Sequence, residues 1–255
     1  MRRLDVAIEA AQNAGSAIRT NDRADLDIQE KDSSRTSIVT AVDLRSQQEI
    51  IQTIRRAFPH DLIVGEEGSD GQSTLPSRWY VDPLDGTTNY AHGLPFYCIS
   101  IAYCDGDGIA VGVVYEPMRN EMFTAVRDGG AMLNGSPITV SANTQLRSSV
   151  QSDDPAVLDR YASRLRTFLE VARTVRSLGA PALALAYVAC GRLDAFFEAD
   201  VSPWDMLAGT LLIEEAGGLA TTFNGLKRST ERRADILATN ARLHEQIAAK
   251  LASHD

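Results

Sequence analysis

The sequence is poor in cysteine and has no long apolar segment. Only three of its 255 residues are cysteines, Cys98, Cys104 and Cys190, and no Cys-x-x-Cys pair or nearby histidine indicates a zinc site. We therefore expect reduced thiols in a cytoplasmic protein. No apolar run is long enough to span a bilayer, and the first residues lack the apolar stretch of a secretory signal, so no membrane partner is expected.

Basic residues are also in the minority. Lys and Arg total 25 against 34 Asp and Glu, which gives a formal net charge of -9 and a pI near 5.0. Such a chain repels the backbone of nucleic acids, so a nucleic acid partner is not expected. A small anionic substrate remains compatible with the composition, because bound cations can reverse the local field.

The chain does contain enough apolar material, 44%, for a sizeable core in one large domain or two closely packed halves. Apolar residues recur at helical spacing over Leu4–Ile18, and a second helix is predicted from Asp43 to the residues before Pro59. Strand formers dominate over Cys98–Val126, where Asp105–Gly108 predicts a hairpin turn.

The later part of the chain mixes both kinds of element. Further strands are predicted at 62–64, 79–81, 138–140, 193–197, 219–223 and 236–239, and further helices at 155–172, 182–190, 203–216 and after a cap at Asn240. The composition changes between Ser141 and Gln151, which predicts an N-terminal half, 1–145, and a C-terminal half, 146–255. The mixture predicts an α+β architecture.

Acidic residues stand where the predicted strands and helices begin or end. They are Glu66, Glu67, Asp82, Asp85 and Asp205. Carboxylate oxygens are ligands that suit magnesium or manganese rather than zinc. Two carboxylates about 4 Å apart repel by about 4 kcal/mol at a surface-like dielectric constant, so a packed cluster of them needs cations or must take up protons.

Each acidic position taken alone has a structural explanation. These explanations are a capping box for Ser202 and Asp205 with Pro203 at the first helical position, an N-cap for Asp43, a turn for Asp85-Gly86, and a solvated loop for Glu66-Glu67. The string Asp82-Pro83-Leu84-Asp85-Gly86-Thr87-Thr88 argues against them. Its rigid proline sets the offset between two aspartates, and the two residues after the second aspartate can offer backbone N–H groups to a phosphate at a helix start.

Four segments together resemble the inositol monophosphatase family, within the lithium-sensitive, metal-dependent phosphatases. They are Trp79–Tyr90, Gly65–Gly68, Val39–Asp43 and the stretch from Pro203 to Gly218. The resemblance covers nearly the whole chain. It implies a layered αβαβα sandwich of the inositol monophosphatase and fructose-1,6-bisphosphatase type, with the metal-binding motifs in the first half and the second half completing the active site.

The resemblance also implies two to three magnesium ions, with manganese as a substitute. The ligands implied are Glu66, Asp82 and the Leu84 carbonyl for the first ion, Asp82, Asp85 and Asp205 for the second, and Glu66 with water for the third. Glu66, Thr87 and Asp43 would be the catalytic residues that orient the attacking water. The substrate-binding residues implied are the Gly86 and Thr87 amides for phosphate, Glu198 for sugar or inositol hydroxyls, and Gly179, Ala180 and Pro181 for the pocket wall.

The implied activity is hydrolysis of a small phosphate monoester, with inositol 1-phosphate as the leading substrate, in a homodimer. Family relatives act on fructose 1,6-bisphosphate, adenosine 3′,5′-bisphosphate or histidinol phosphate, and these remain alternatives. A bisphosphate needs a second basic contact, for which Arg176 and Arg192 are the candidates. Some bacterial relatives also bind large macromolecular assemblies, which leaves a role as a binding partner open.

Two segments depart from the family pattern. The family often has a lysine at a fixed distance before the aspartate matched by Asp43, whereas here Lys31 is displaced by one residue and Asp32 takes that position. The usual Gly-Phe-Pro segment is replaced by Ser149–Asp154. These departures leave open the role of Lys31 and the shape of the pocket or dimer contact.

Overall fold

Helices lie on both faces of a large sheet in this computed structural model. The structure describes residues 2–20, 28–30, 38–70, 77–145, 150–151, 172–227 and 230–252. The helices in these ranges are α1 (Arg3–Thr20), α2 (Ala41–Ala57), α3 (Thr87–Ala91), α4 (Pro181–Ala189), α5 (Pro203–Glu215) and α6 (His244–Ala252).

The strands in the described ranges form three sheets. A short antiparallel ribbon contains β1 (Ile28–Glu30) and β2 (Ile38–Thr40). The large sheet contains β3 (Leu62–Gly65), β4 (Gly68–Asp70), β5 (Arg78–Asp85), β6 (Cys98–Asp105), β7 (Gly108–Glu116), β8 (Glu121–Val126), β9 (Ala131–Leu133) and β10 (Ser136–Pro137). The small sheet contains β11 (Val150–Gln151), β12 (Ala195–Val201), β13 (Leu219–Thr221) and β14 (Ala234–Thr239).

The large sheet is a meander with one parallel pair. Its strand order is β10-β9-β8-β7-β6-β5-β3-β4, and only β3 and β5 pair in parallel. In the β6–β7 hairpin Asp105 pairs with Gly108, which confirms the predicted turn. The parallel pairing brings the end of β3, and the turn that carries Glu66, beside the middle of β5.

Small side chains let α1 approach the sheet closely. Helices α1 and α2 pack against each other and against one face of the large sheet. The residues that α1 buries are Val6, Ala7, Ala10, Ala11, Ala14, Gly15 and Ile18. These positions repeat at helical spacing, so the amphipathic pattern predicted for Leu4–Ile18 is confirmed.

Helices α4 and α5 form a layer between the two sheets. Every residue of α5 from Met206 to Ile213 is buried, as expected for a helix that is apolar on all sides. A Cβ atom at Gly112 of β7 would lie 2.7 Å from the carbonyl oxygen of Ala208, so this glycine permits the close approach of α5. The small sheet, in the order β11-β12-β14-β13, covers the other side, and α6 packs on β14. The predicted αβαβα sandwich is confirmed.

One buried cluster spans the predicted division of the chain. Phe123 of the first half and Leu185 of the second half belong to the same apolar cluster. We propose that the segments 1–145 and 146–255 form two halves with a continuous core. The middle helices α4 and α5 come from the second half, whereas the sheet they cover comes from the first.

Several local predictions are wrong. Ile138–Val140 is not a strand, because this segment leaves the sheet edge and the Val140 amide bonds to Ala216 at the end of α5. Strand β5 continues beyond Asp82 to Asp85. The helix predicted at 155–172 lies outside the described residues over 155–171, as do Lys31, Asp32 and Ser152–Asp154.

Helix starts also differ from prediction. Asp43 is not the N-cap of α2; Thr40 takes that position and Asp43 closes a capping box from the third helical residue. Asn240 accepts a hydrogen bond from the Leu243 amide just before α6, in line with the predicted cap. Among the described residues, no helix has the length and apolar character needed to cross a membrane.

Candidate metal and phosphate site

Three of the predicted acids converge. Carboxylate oxygens of Glu66, Asp82 and Asp205 all lie within 4.8 Å of one another. Glu66 stands on the β3–β4 turn, Asp82 in β5, and Asp205 in the first turn of α5. Residues up to 139 positions apart in the chain are thus brought to one point by the β3–β5 pairing and by the packing of α5 on the sheet.

Asp205 is not used as a helix cap. Ser202 is the N-cap of α5 and Pro203 occupies the first turn, as predicted, but the Ser202 side chain makes no capping bond. Its Oγ instead accepts a hydrogen bond of 2.7 Å from Arg233. The capping-box alternative is therefore wrong, and the Asp205 carboxylate is free to join Glu66 and Asp82.

Asp85 lies beside this group and is held by its own donors. Its Oδ2 accepts hydrogen bonds from the Leu183 amide at 3.1 Å and from Cys98 Sγ at 3.3 Å. The ladder between β5 and β6 is irregular between Asp82 and Asp85, where Pro83 has no N–H to donate. Both aspartates are nearly fully buried, so the irregularity gives two inward carboxylates within four residues.

Leu84 links the two loops of the site through its backbone. Its amide donates to Asp82 Oδ1 at 2.9 Å, and its carbonyl oxygen lies 3.0 Å from Thr87 Oγ1. This carbonyl is the one the family resemblance assigns to the first metal ion. As a metal ligand it remains a proposal, like the four carboxylates.

Thr87 is bonded to Asp43 across the site. Thr87 Oγ1 lies 2.9 Å from Asp43 Oδ1, while Asp43 Oδ2 accepts a 2.8 Å bond from the Thr40 amide. Burial raises the pKa of Asp43, and its hydrogen bonds with Thr40 and Thr87 oppose that rise. The network fixes the start of α2 against the start of α3.

The loop at Gly86 is crowded and left-handed. Gly86 has a φ of 93°, and a Cβ atom there would lie 3.1 Å from Ala180 Cβ and 3.0 Å from the Phe96 carbonyl oxygen. Asn89 Nδ2 donates to the Leu178 carbonyl at 2.7 Å and to that of Phe96 at 2.8 Å. The predicted pocket segment 179–181 is thus tied directly to the predicted phosphate loop.

Glu198 approaches the acids from the small sheet. It lies in β12, and its charge contributes to raising the pKa of Asp205. The ladder between β12 and β14 is irregular between Glu198 and Val201, just before the segment that leads into α5. The charge of Glu198 therefore acts on Asp205, although the two residues lie in different elements.

Burial and mutual repulsion disfavour the charged forms of the central acids. Burial is the largest cause that raises the pKa of Asp82, Asp85 and Asp205, followed by repulsion from Glu66 for Asp82 and Asp205. For Asp85 the pKa rises to about 7, because hydrogen bonds from Leu183 and Cys98 offset part of the burial effect. A bound cation would remove this repulsion.

The donor set fits a hard divalent cation. The converging atoms are carboxylate oxygens, with a backbone carbonyl nearby and no histidine or cysteine among the three converging residues. Such oxygen ligands match magnesium or manganese and do not match a structural zinc site.

Sequence reasoning named Asp43 of α2 but missed Ser46 and Gln47 on the same helix. Asp43, Ser46 and Gln47 are buried polar residues at i, i+3 and i+4 on one helix face. Ser46 Oγ donates to the Pro83 carbonyl at 2.8 Å. The Gln47 side chain accepts a hydrogen bond from the Glu67 amide and donates one to the Gly68 carbonyl, on the turn that carries Glu66. Their helical spacing is visible in the sequence, but the loops that Ser46 and Gln47 contact lie 20 to 37 residues away.

A family model matches residues 2–255 and is described as the inositol monophosphatase family. The chain belongs to this family. It is 39% identical over 255 residues to inositol monophosphatase 2 of Solanum lycopersicum, covering 95% of each chain. It is 38% identical over 266 residues to the Nus factor SuhB of Pseudomonas aeruginosa, covering 98% of this chain and 96% of that one. The solved structure of the Thermotoga maritima IMPase matches with a TM-score of 0.90 at 33% identity, covering 100% and 98% of the two chains.

Membership of the inositol monophosphatase family confirms the resemblance and indicates a phosphatase. The family is in general magnesium-dependent, and lithium sensitivity is expected for it. The names of its relatives include both inositol monophosphatase and Nus factor. The predicted absence of a nucleic acid partner has no support from the names of these relatives.

Proposed function

We propose that this protein is a magnesium-dependent phosphatase that hydrolyses a small phosphate monoester, with inositol 1-phosphate as its leading substrate. The observation that carries the proposal is the convergence of Glu66, Asp82 and Asp205 within 4.8 Å, on the same side of the fold as the Gly86–Thr87 loop. A purely structural role does not need acids that converge and repel one another.

The proposed ligands divide the acids between two principal ions, and a third ion would be held by Glu66 with water. Glu66, Asp82 and the Leu84 carbonyl would hold the first ion; Asp82, Asp85 and Asp205 would hold the second. Bound magnesium supplies Lewis acid chemistry, which polarises the phosphate and lowers the pKa of a coordinated water. Manganese has similar ligand preferences and is proposed as a substitute.

The side chains then position the reactants. The Gly86 and Thr87 amides would bind phosphate oxygens at the start of α3. Because Thr87 donates its proton to Asp43, the lone pairs of its oxygen can accept a hydrogen bond from the attacking water. Glu66 would accept a hydrogen bond from the other O–H group of that water. The water is thereby aimed in line with the leaving group, and no nucleophilic side chain of the enzyme is needed.

Glu198 supports a polyol as the leaving group. A carboxylate accepts hydrogen bonds from hydroxyls, and the charge of Glu198 acts on the proposed ligand Asp205. Gly179, Ala180 and Pro181 would form the wall of the pocket. Arg192, one candidate for a second phosphate contact, forms an ion pair with Glu121 and lies over the Tyr187 ring. Because Arg192 already has these partners, it is less suited to bind a second phosphate, which favours a monophosphate over a bisphosphate.

A phosphate-release screen tests the proposal. Inositol 1-phosphate, fructose 1,6-bisphosphate, adenosine 3′,5′-bisphosphate and histidinol phosphate would be compared with and without magnesium. We expect the highest kcat/KM for inositol 1-phosphate and no turnover without a divalent cation. Asp85→Asn should lower kcat/KM by about 100-fold or more, whereas the exposed Asp107→Asn should not change it.

Two results of the screen would count against the proposal. Near wild-type magnesium-dependent turnover by Asp85→Asn would show that the ligand set is wrong. A higher kcat/KM for a bisphosphate would replace the substrate while leaving the reaction class intact.

The Nus factor relatives favour a second candidate function, binding to a macromolecular assembly. We propose it as a role that can coexist with catalysis, in a homodimeric cytoplasmic protein. Wild type and Asp85→Asn would be used in parallel as bait in pull-downs. Light scattering would measure the mass of the purified protein and so test the proposed homodimer. A stable partner recovered by both, together with no phosphate release by the wild type, would favour this role over the enzyme.

A further inference from the structure

Two buried donors hold the same oxygen of Asp85. Cys98 Sγ and the Leu183 amide both bond to Oδ2, at 3.3 Å and 3.1 Å. Cys98 and Leu183 have no solvent exposure, and Asp85 is only 3% exposed. Water therefore does not compete for these bonds, and their geometry is set by the protein alone.

The fold imposes this contact. Asp85 and Cys98 are paired directly across β5 and β6, and side chains of directly opposed residues stand about 5 Å apart at Cβ. Leu183 is the third residue of α4, whose amide has no acceptor within its own helix. A strand pairing and a helix start thus converge on one carboxylate oxygen.

We propose that Cys98 is a positioning residue for the metal-dependent reaction: its thiol, together with the Leu183 amide, holds Asp85 Oδ2 so that Oδ1 is the oxygen offered to magnesium. This inference rests on the proposed function, in which Asp85 is a magnesium ligand. Groups that orient metal ligands in this way contribute strongly to metal affinity, although they never touch the metal.

Cys104 is a buried cysteine on the same strand as Cys98, and its thiol makes no hydrogen bond with a predicted metal ligand among the described residues. It also lies in β6 and is buried, but at the opposite end of the strand, where it pairs with Arg78. Among the described cysteines, Cys190 contacts the Tyr187 carbonyl, and Cys98 is the one whose thiol contacts a predicted metal ligand. Cys104 is therefore a matched control for the loss of a buried thiol.

The test compares Cys98→Ala, Cys98→Ser and Cys104→Ala. Magnesium affinity would be measured by calorimetric titration, and the magnesium concentration for half-maximal phosphate release would be measured separately. We expect Cys98→Ala to weaken magnesium affinity about 10-fold, with kcat at saturating magnesium largely retained. Cys98→Ser keeps a donor and should retain the wild-type affinity, as should Cys104→Ala.

Wild-type magnesium affinity in Cys98→Ala would overturn the inference. Equal weakening in the serine and alanine variants would also overturn it, because it would show that the thiol acts by packing alone. If Cys98→Ala is too unstable to measure, Cys98→Val fills the site without a donor and gives the same comparison. The calorimetric result is separate from the proposed function: a wild type that binds magnesium but releases no phosphate ends the enzyme proposal, while the titration still tests Cys98.

Discussion

Thr87 Oγ1 donates a hydrogen bond of 2.9 Å to Asp43 Oδ1, and this contact joins the starts of two helices that are 44 residues apart in the chain. The same carboxylate closes the capping box of α2 with Thr40. One buried aspartate therefore serves two purposes: it stabilises a helix start, and it sets the direction in which the Thr87 hydroxyl faces.

The first prediction concerns the Thr87 hydroxyl. Thr87→Val keeps the shape of the side chain but removes both the donor to Asp43 and the lone pair offered to water. We expect kcat to fall by about 100-fold or more, in the range typical for the loss of a group that handles the attacking water. Thr87→Ser keeps the hydroxyl and should retain most of the activity. Steady-state kinetics at saturating magnesium would check this, and equal kcat values for the two variants would remove Thr87 from the mechanism.

The second prediction concerns the turn that carries Glu66. Gln47 Oε1 accepts a bond of 3.1 Å from the Glu67 amide, and its Nε2 donates to the Gly68 carbonyl at 3.3 Å. Gln47→Ala removes both bonds in a buried place, so the turn should lose its fixed position. We expect magnesium affinity to weaken about 10-fold with little change in kcat at saturating metal.

Gln48→Ala is the control for this change. Gln48 is the next residue of the same helix and is exposed. The two alanine variants have the same helix propensity, so a difference in magnesium titration reports the Glu66 turn. Indistinguishable titrations for the two variants would show that Gln47 does not position Glu66.

The sequence predicted the parts of this molecule that depend on local patterns. The helical period of Leu4–Ile18 and the Asp105–Gly108 turn are confirmed, because side-chain periodicity and turn chemistry are short-range properties. The layered fold was predicted by the family resemblance. Side-chain periodicity and turn chemistry do not determine how the layers are arranged. Ile138–Val140 was misassigned because three β-branched residues are strand formers, and their sequence does not show where the sheet ends.

The site was predictable in its acids but not in their supports. The string from Asp82 to Thr88 is recognisable by its residue types and spacing. Cys98 and Gln47 act through contacts that depend on strand register and helix packing, so nothing in their own neighbourhood marks them. Asp43 was assigned to the wrong cap position, since Thr40 and Asp43 are both good capping residues and the sequence does not say where α2 begins.

The third prediction concerns the backbone at Gly86. An alanine there would have to adopt a φ of 93° and place its Cβ 3.0 Å from the Phe96 carbonyl oxygen and 3.1 Å from Ala180 Cβ. We expect Gly86→Ala to reduce the free energy of unfolding by about 1–3 kcal/mol and to raise KM, because the phosphate loop must shift. Gly225→Ala is the control: it has a φ of 75° and open space around its Cβ position. Equal urea midpoints and equal KM values for the two variants would contradict the crowding argument.

The last prediction concerns pH and magnesium together. Burial raises the pKa of Asp85 from 3.8 to about 7, and it also raises the pKa of Asp82 and Asp205. A carboxyl group whose pKa is higher in the folded state stabilises the fold fully below its unfolded pKa, and this contribution is lost as the pH rises through the folded pKa. The metal-free protein should therefore become less stable between about pH 5 and pH 8, with Tm falling by about 5–10 °C.

Saturating magnesium should abolish most of this decline, because the bound cation neutralises the ionised acids and binds only the folded state. The Tm gain on adding magnesium should thus be larger at the alkaline end of this range than at the acid end. In Asp85→Asn one of the titrating groups is gone, while the amide oxygen of the new side chain can still accept the Leu183 bond, so the metal-free decline should be shallower. Thermal melts of both proteins in a chelator across this pH range would decide. Parallel curves for wild type and Asp85→Asn would mean that Asp85 is already ionised across this range in the metal-free fold. The pH dependence would then come from Asp82 and Asp205.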